Sequence, residues 1–117
     1  MSKIERIEPG ARMTMAVAHG DTVYLAGQVA RNTPGQSVTA QTKDILAIID
    51  DLLAKAGTDK SKLLSANIWL TDIGTFGEMN AVWDAWVSPG NTPARATVEA
   101  KLASPDYKVE IAVIAAR

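Results

Sequence analysis

The stretch Asn91-Thr92-Pro93-Ala94-Arg95-Ala96-Thr97-Val98-Glu99-Ala100-Lys101-Leu102, followed after a short loop by Lys108-Val109-Glu110-Ile111-Ala112-Val113-Ile114-Ala115, decides how this chain folds. Pro93 fixes its own φ and biases Thr92 toward extended geometry, so a strand is expected to start just after it. From Arg95 the residues alternate. Arg95, Thr97, Glu99 and Lys101 point one way, and Ala96, Val98, Ala100 and Leu102 the other. In a simple hairpin with Leu102 opposite Lys108, Glu110 faces Ala100 and lies on the opposite face from Arg95. The two can then share a site only through a bulge or across adjacent subunits. Residues 109–115 are apolar on both faces apart from Glu110. A continuously apolar strand is one buried from both sides.

Upstream, residues 3–8 form a short candidate strand that Pro9-Gly10 breaks. Met13, Met15 and Val17 mark one face of a second strand over 12–18. The turn at Gly20-Asp21 leads into a third, 22–29, and the two read as a β-hairpin. Val23, Leu25, Gly27 and Val29 share one face of that strand. Gly27 inside it indicates a bulge, a close approach by another backbone or a ligand, or tight packing under a helix. Ile45, Ile48, Ile49, Leu52, Leu53 and Ala56 fall at helical spacing, and Gly57 is placed to end that helix. A strand follows over 63–71, with Leu64, Ala66, Ile68 and Leu70 on one face. Thr75-x-x-Glu78 reads as a capping box for a second helix, whose buried stripe is Phe76, Met79, Trp83 and either Trp86 or Val87. Pro89-Gly90 closes it. The order is β-β-β-α-β-α-β-β, an α+β fold in one domain over 1–117. Two helices cover one sheet face only. The second face is expected to be covered by another copy of the chain, in a closed homo-oligomer.

Composition narrows the chemistry. The 117 residues hold no cysteine and one histidine, which leaves no thiolate site and argues against a histidine-based metal site or a Ser-His-Asp triad. His19 reads as a turn residue. The net charge of −1 offers no footprint for nucleic acid or an acidic membrane. No run approaches the roughly 20 apolar residues that span a bilayer, and the charged N-terminus lacks a signal-peptide core, so a cytoplasmic location is expected. Two residues carry the candidate chemistry. Arg95, at the mouth of its strand, offers a rigid fork for a carboxylate, or else pairs with a surface acid. Glu110, on a strand buried from both sides, is either a proton-handling group with a raised pKa or a structural ion-pair partner.

These residues resemble the signature of the RidA/YjgF family, the reactive-intermediate deaminases. The resemblance runs from Pro93-Ala94-Arg95 through Val98 and Leu102 to Val109-Glu110-Ile111, with Ala26-Gly27-Gln28-Val29 and Asn80 ahead of Trp83 and Trp86 as further matches. It implies a chorismate-mutase-like α+β fold, with one mainly antiparallel sheet and two helices on one face, assembled as a homotrimer with clefts between subunits. It implies hydrolysis of enamine/imine intermediates of amino-acid metabolism to 2-keto acids and ammonia, with no cofactor. Arg95 matches the arginine that holds the substrate carboxylate and Glu110 the glutamate that handles the attacking water. Asn80 and Gly27 match cleft residues, and Thr97 stands ready to steady the carboxylate or the water. Many members carry a cysteine at Thr97, and well-studied ones a tyrosine at Met13 and a serine at Ala26. Those departures thin the polar contacts and point to a bulkier or more apolar imino acid. The competing reading keeps the cleft without the chemistry, as a binding protein for small carboxylates such as 2-keto acids.

Overall fold

The computed structural model describes residues 3–117. Six strands form one sheet: β1 Ile4–Pro9, β2 Thr14–His19, β3 Thr22–Leu25, β4 Leu63–Leu70, β5 Ala94–Glu99 and β6 Val109–Ala116. Helix α1 spans Val38–Lys55 and α2 Phe76–Trp86. The strand order is β1-β2-β3-β6-β4-β5; β4 and β5 are parallel and all other neighbours antiparallel. The expected element order, the hairpin and the placement of both helices on one face therefore hold.

The core lies between the helices and that face. Ile45, Ile49, Leu52 and Leu53 of α1, with Met79 and Trp83 of α2, pack on Ala66, Ile68 and Leu70 of β4 and Val109, Ile111 and Val113 of β6. Ser37 caps α1, its hydroxyl accepting from Ala40 N–H at 3.1 Å. At the other end Gly57, at φ +81°, lets the chain reverse. Thr58 N–H then bonds Leu53 C=O and Gly57 N–H bonds Ala54 C=O, the paired bonds of a Schellman ending.

Four expectations are corrected. First, β5 and β6 do not form a hairpin, because β4 lies between them; Glu110 sits opposite Trp69 rather than Ala100. β5 stops at Glu99, leaving Lys101 and Leu102 in a loop. Second, the Thr75–Glu78 capping box does not form. Thr75 makes no capping bond, and Glu78 Oε2 instead accepts from Thr39 N–H and Oγ1–H, both at 2.9 Å. Glu78 thus satisfies an unpaired first-turn donor of the other helix. Third, a register shift between Leu63 and Ser65 turns Leu63 inward and leaves Leu64 exposed. Fourth, β3 ends at Leu25 and the alternation slips after it: Gln28 is buried and Gly27 exposed.

The sheet's second face is covered by no helix. Tyr24 is 48% exposed and Val98 49%, while Ala112, Ile114 and Ala116 of β6 are half-buried. No helix among the described residues is long and apolar enough to cross a membrane.

Replacing Glu78 with Ala should lower the unfolding free energy by about 1 kcal/mol, the usual worth of a helix-capping carboxylate. Urea denaturation followed by circular dichroism measures it, and a wild-type midpoint would show that Glu78 does not tie α2 to α1.

Candidate active site

Strand register assigns each candidate residue to a face, because directly opposed residues point the same way. Arg95 pairs with Ala66 and Thr97 with Ile68. Ala66 and Ile68 are core residues, so Arg95 and Thr97 point to the helix side. Glu110 pairs with Trp69, and its neighbours Val109 and Ile111 are in the core, so it points to the open side. Arg95 and Glu110 therefore lie on opposite faces of the sheet with β4 between their strands. The sequence placed them on opposite faces through the wrong pairing, and the actual pairing gives the same result.

On the helix side the Arg95 guanidinium carbon lies 5.3 Å from the centroid of the Trp83 ring and 5.8 Å from that of Phe76. Phe76, Asn80 and Trp83 recur on α2 at i, i+4 and i+7, one helical face. Phe76 was expected in the core but is 42% exposed, since its ring serves Arg95 at the end of the helix. Aromatic faces attract a guanidinium and restrict its plane without consuming its N–H donors. Arg95 makes no ion pair among the described residues, so its fork is free. Two buried oxygens in this layer lack a partner: Asn80 Oδ1 and Thr97 Oγ1. Buried polar atoms are rarely left unpaired, and such an atom marks a place where water or a ligand belongs.

On the open side Glu110 borders a cavity of about 250 Å³ with Trp69 and the 100–103 segment. Gln28 and Ile111 exchange backbone hydrogen bonds of 2.8 and 3.1 Å, which press residues 26–28 against β6. A Cβ on Gly27 would come 2.1 Å from Glu110 Oε2 and 3.0 Å from Cδ. The close approach at Gly27 is thus to a carboxylate of the same chain, and glycine is what leaves that carboxylate its place. Burial pushes the Glu110 carboxyl up from its ordinary value of 4.5. The far end of the loop that follows this segment is held by Gln41, a buried α1 side chain. Its Nε2 donates to Asp106 C=O at 2.9 Å and its Oε1 accepts from Lys108 N–H at 2.9 Å. Sequence reasoning passed over Gln41. The signal was available: Gln41 falls on the apolar stripe four residues before Ile45, where an amide needs a buried partner. Met13 precedes β2, is 53% exposed, and does not border the Glu110 cavity. No cluster of three or more metal-ligating side chains occurs among the described residues.

Comparison with known proteins places this arrangement in a family. Residues 3–117 match the family described as endoribonuclease L-PSP. A RutC family protein of Haemophilus influenzae is 48% identical over 96% of this chain and 97% of that protein. The chain belongs to the RutC/YjgF family. The RutC family protein YoaB of Escherichia coli is 45% identical, across 97% of both chains. The crystal structure of a YjgF family member from Neisseria meningitidis superposes with a TM-score of 0.95 at 45% identity, covering 98% of this chain and 95% of that one. The two-helix, six-strand layer is thus the RutC/YjgF fold.

A carboxylate whose folded-state pKa exceeds its unfolded value stabilises the fold below the unfolded value, and loses that contribution as pH rises through the folded one. Carbon-13 titration should place the Glu110 midpoint above 4.5. In Gly27→Ala the new methyl should swing the carboxylate into water and bring the midpoint back toward 4.5, with little loss of melting temperature. An unmoved midpoint would mean that Gly27 does not hold Glu110 in place.

Proposed function

We propose that the protein hydrolyses reactive imines of amino-acid metabolism to 2-keto acids and ammonia, at sites where two protomers of a homotrimer meet. One observation carries the reading: a free cationic fork and a carboxylate with raised pKa sit on opposite faces of one sheet, each beside an incomplete binding surface. Within one chain they cannot address the same small molecule. Between chains they can, and the helix-free apolar face supplies the surface on which copies would associate. Thr97 and Asn80 then contribute their unpaired oxygens to the substrate, and Gly27 lines the cleft from the Glu110 side.

The chemistry follows from the two groups. Arg95 holds the substrate carboxylate with two parallel hydrogen bonds and fixes the C=N carbon beside a water. In the protonated imine Glu110 takes a proton from that water as its oxygen bonds to carbon and the C=N π pair moves to nitrogen, giving a neutral carbinolamine. Glu110 then delivers that proton to nitrogen, the C–N bond breaks and ammonia leaves with its electron pair, and the hydroxyl proton passes to Glu110 as the carbonyl forms. A raised pKa suits a group that must both accept and return a proton near neutrality. The thiol-free, apolar surroundings (Phe76, Trp83, Met13 and Ala26) favour imino acids with larger apolar side chains. The nuclease activity in the family's description finds no support in the net charge of −1, which offers no polyanion-binding face.

The test uses imines generated in place by an amino-acid oxidase, with ammonia or keto-acid release as the readout. Arg95→Ala should lower kcat/KM about 30-fold or more, as expected when a desolvated charge contact is lost. Glu110→Gln should lower kcat more than it changes KM. Refolded together in equal amounts, the two inactive variants should recover about a quarter of wild-type activity, because random assembly rebuilds that share of interfaces with both groups intact. No recovery would place both groups in one protomer. Thermal stabilisation by 2-keto acids without accelerated ammonia release would leave a carboxylate-binding protein and remove the catalytic part.

A further inference from the structure

The solvent side of the helix pair holds a second concavity, remote from the sheet's open face. Thr39, Lys43, Ala47 and Asp50 recur along one stripe of α1, and Glu78, Ala81, Val82, Ala85 and Trp86 line the facing side of α2. The groove between them measures about 600 Å³, within the range of small-molecule sites. Its cause is legible in the residues: where α1 offers Ala47, α2 offers Ala81 and Ala85, and three methyl groups do not fill the space between two helices. Leu46 and Val82 complete an apolar floor.

Each end of the groove is tied across the helices. At one end Thr39 N–H and Oγ1–H donate to Glu78 Oε2, both at 2.9 Å. At the other Trp86 Nε1–H donates to Asp50 Oδ2 at 3.0 Å. Thr39 and Asp50 are separated by about 16 Å along the helix axis, so the space is a bounded slot. A bounded slot suits a small molecule better than a through-running helix. Its acids are already engaged: both accept hydrogen bonds from the opposite helix. Of its cations, Lys60 donates to Trp86 C=O at 2.6 Å and lies 5.2 Å from the Trp86 ring centroid. Lys43 makes no hydrogen bond or ion pair among the described residues. The uncommitted group on the rim is therefore an ammonium with three donors.

We propose that this groove binds a small amphipathic carboxylate, its apolar body along Ala47, Ala81 and Ala85 and its carboxylate at Lys43. The claim is independent of imine hydrolysis, since it uses neither Arg95 nor Glu110. Apolar burial supplies most of the affinity, and the exposed ammonium mainly orients the ligand.

The probe is 4-phenylbutanoate, compared with its neutral amide by methyl NMR on the full chain. Saturable shifts at the methyls of Leu46, Ala47, Ala81 and Val82 are expected, with a dissociation constant of a few millimolar, on the order usual for about a dozen heavy atoms. The amide should bind about fivefold more weakly, as an exposed charge pair allows. Lys43→Gln should bring the acid to the amide's affinity, and Ala85→Trp, at an exposed position, should abolish binding by filling the slot. Arg95→Ala should bind as wild type. Absence of saturable shifts, equal affinities for acid and amide, or shifts that vanish in Arg95→Ala would each overturn the assignment. Should Ala85→Trp fail to fold, Lys43→Gln and Arg95→Ala still decide between the groove and the sheet site.

Discussion

A sheet has two faces, and this chain has helices for one. That constraint organises the rest. The strands that alternate fully buried with half-buried residues, β6 above all, need cover on both sides, yet α1 and α2 both pack on the side of Val109, Ile111 and Val113. The half-buried row of Ala112, Ile114 and Ala116 is thereby left as an adhesive surface beside Glu110. At about 25 cal/mol per Å² of apolar area removed from water, covering such a row with a second copy is favourable before any specific contact is counted. On the proposed reading, association and the chemistry of Glu110 are linked through one strand.

The same strand explains how a carboxylate is kept where its charge is unwelcome. Burial opposes the ionised form of Glu110. Its place is set sterically. The Gln28–Ile111 backbone exchange sets it by bringing a glycine, and no larger residue, against the carboxylate. Gln41 ties Asp106 and Lys108, the end of the loop that leads into β6, to α1. Arg95 is treated in the opposite way. It is backed by rings that leave its donors unspent.

Much of this was legible from residue order. The α1 stripe from Ile45 to Ala56, the Gly20-Asp21 hairpin and the strand after Pro93 each rest on local rules of period and turn chemistry, and local rules survive folding. What failed needed tertiary knowledge. Residues 94–99 and 109–116 are neighbours in sequence, and a hairpin is the cheapest guess. Only the parallel pairing of β4 with β5 separates them. Thr75-x-x-Glu78 has the spacing of a capping box, but Thr39 offered Glu78 a better donor set across the helix pair. Phe76 has the spacing of a core residue, but α2 begins there, at the rim, where a guanidinium is its neighbour. The opposed faces of Arg95 and Glu110 were foreseen because parity along each strand is a local property even when the pairing is not.

Helix α2 lies between the groove and Arg95. Phe76, Asn80 and Trp83 turn toward Arg95, while Ala81, Val82 and Ala85 turn toward α1 and solvent. Trp83 and Trp86 touch, with ring centroids 5.3 Å apart and planes tilted by 53°, so this pair of indoles stands between the groove and the arginine. Contact alone does not couple two sites; coupling requires an element with two arrangements that both ligands bias. Here the relevant element is pinned three times: Glu78 to Thr39, Trp86 to Asp50, and Lys60 to the Trp86 carbonyl. On the two proposals, the groove and the arginine site are then independent receptors on a shared wall, and occupancy of one should leave the affinity of the other unchanged.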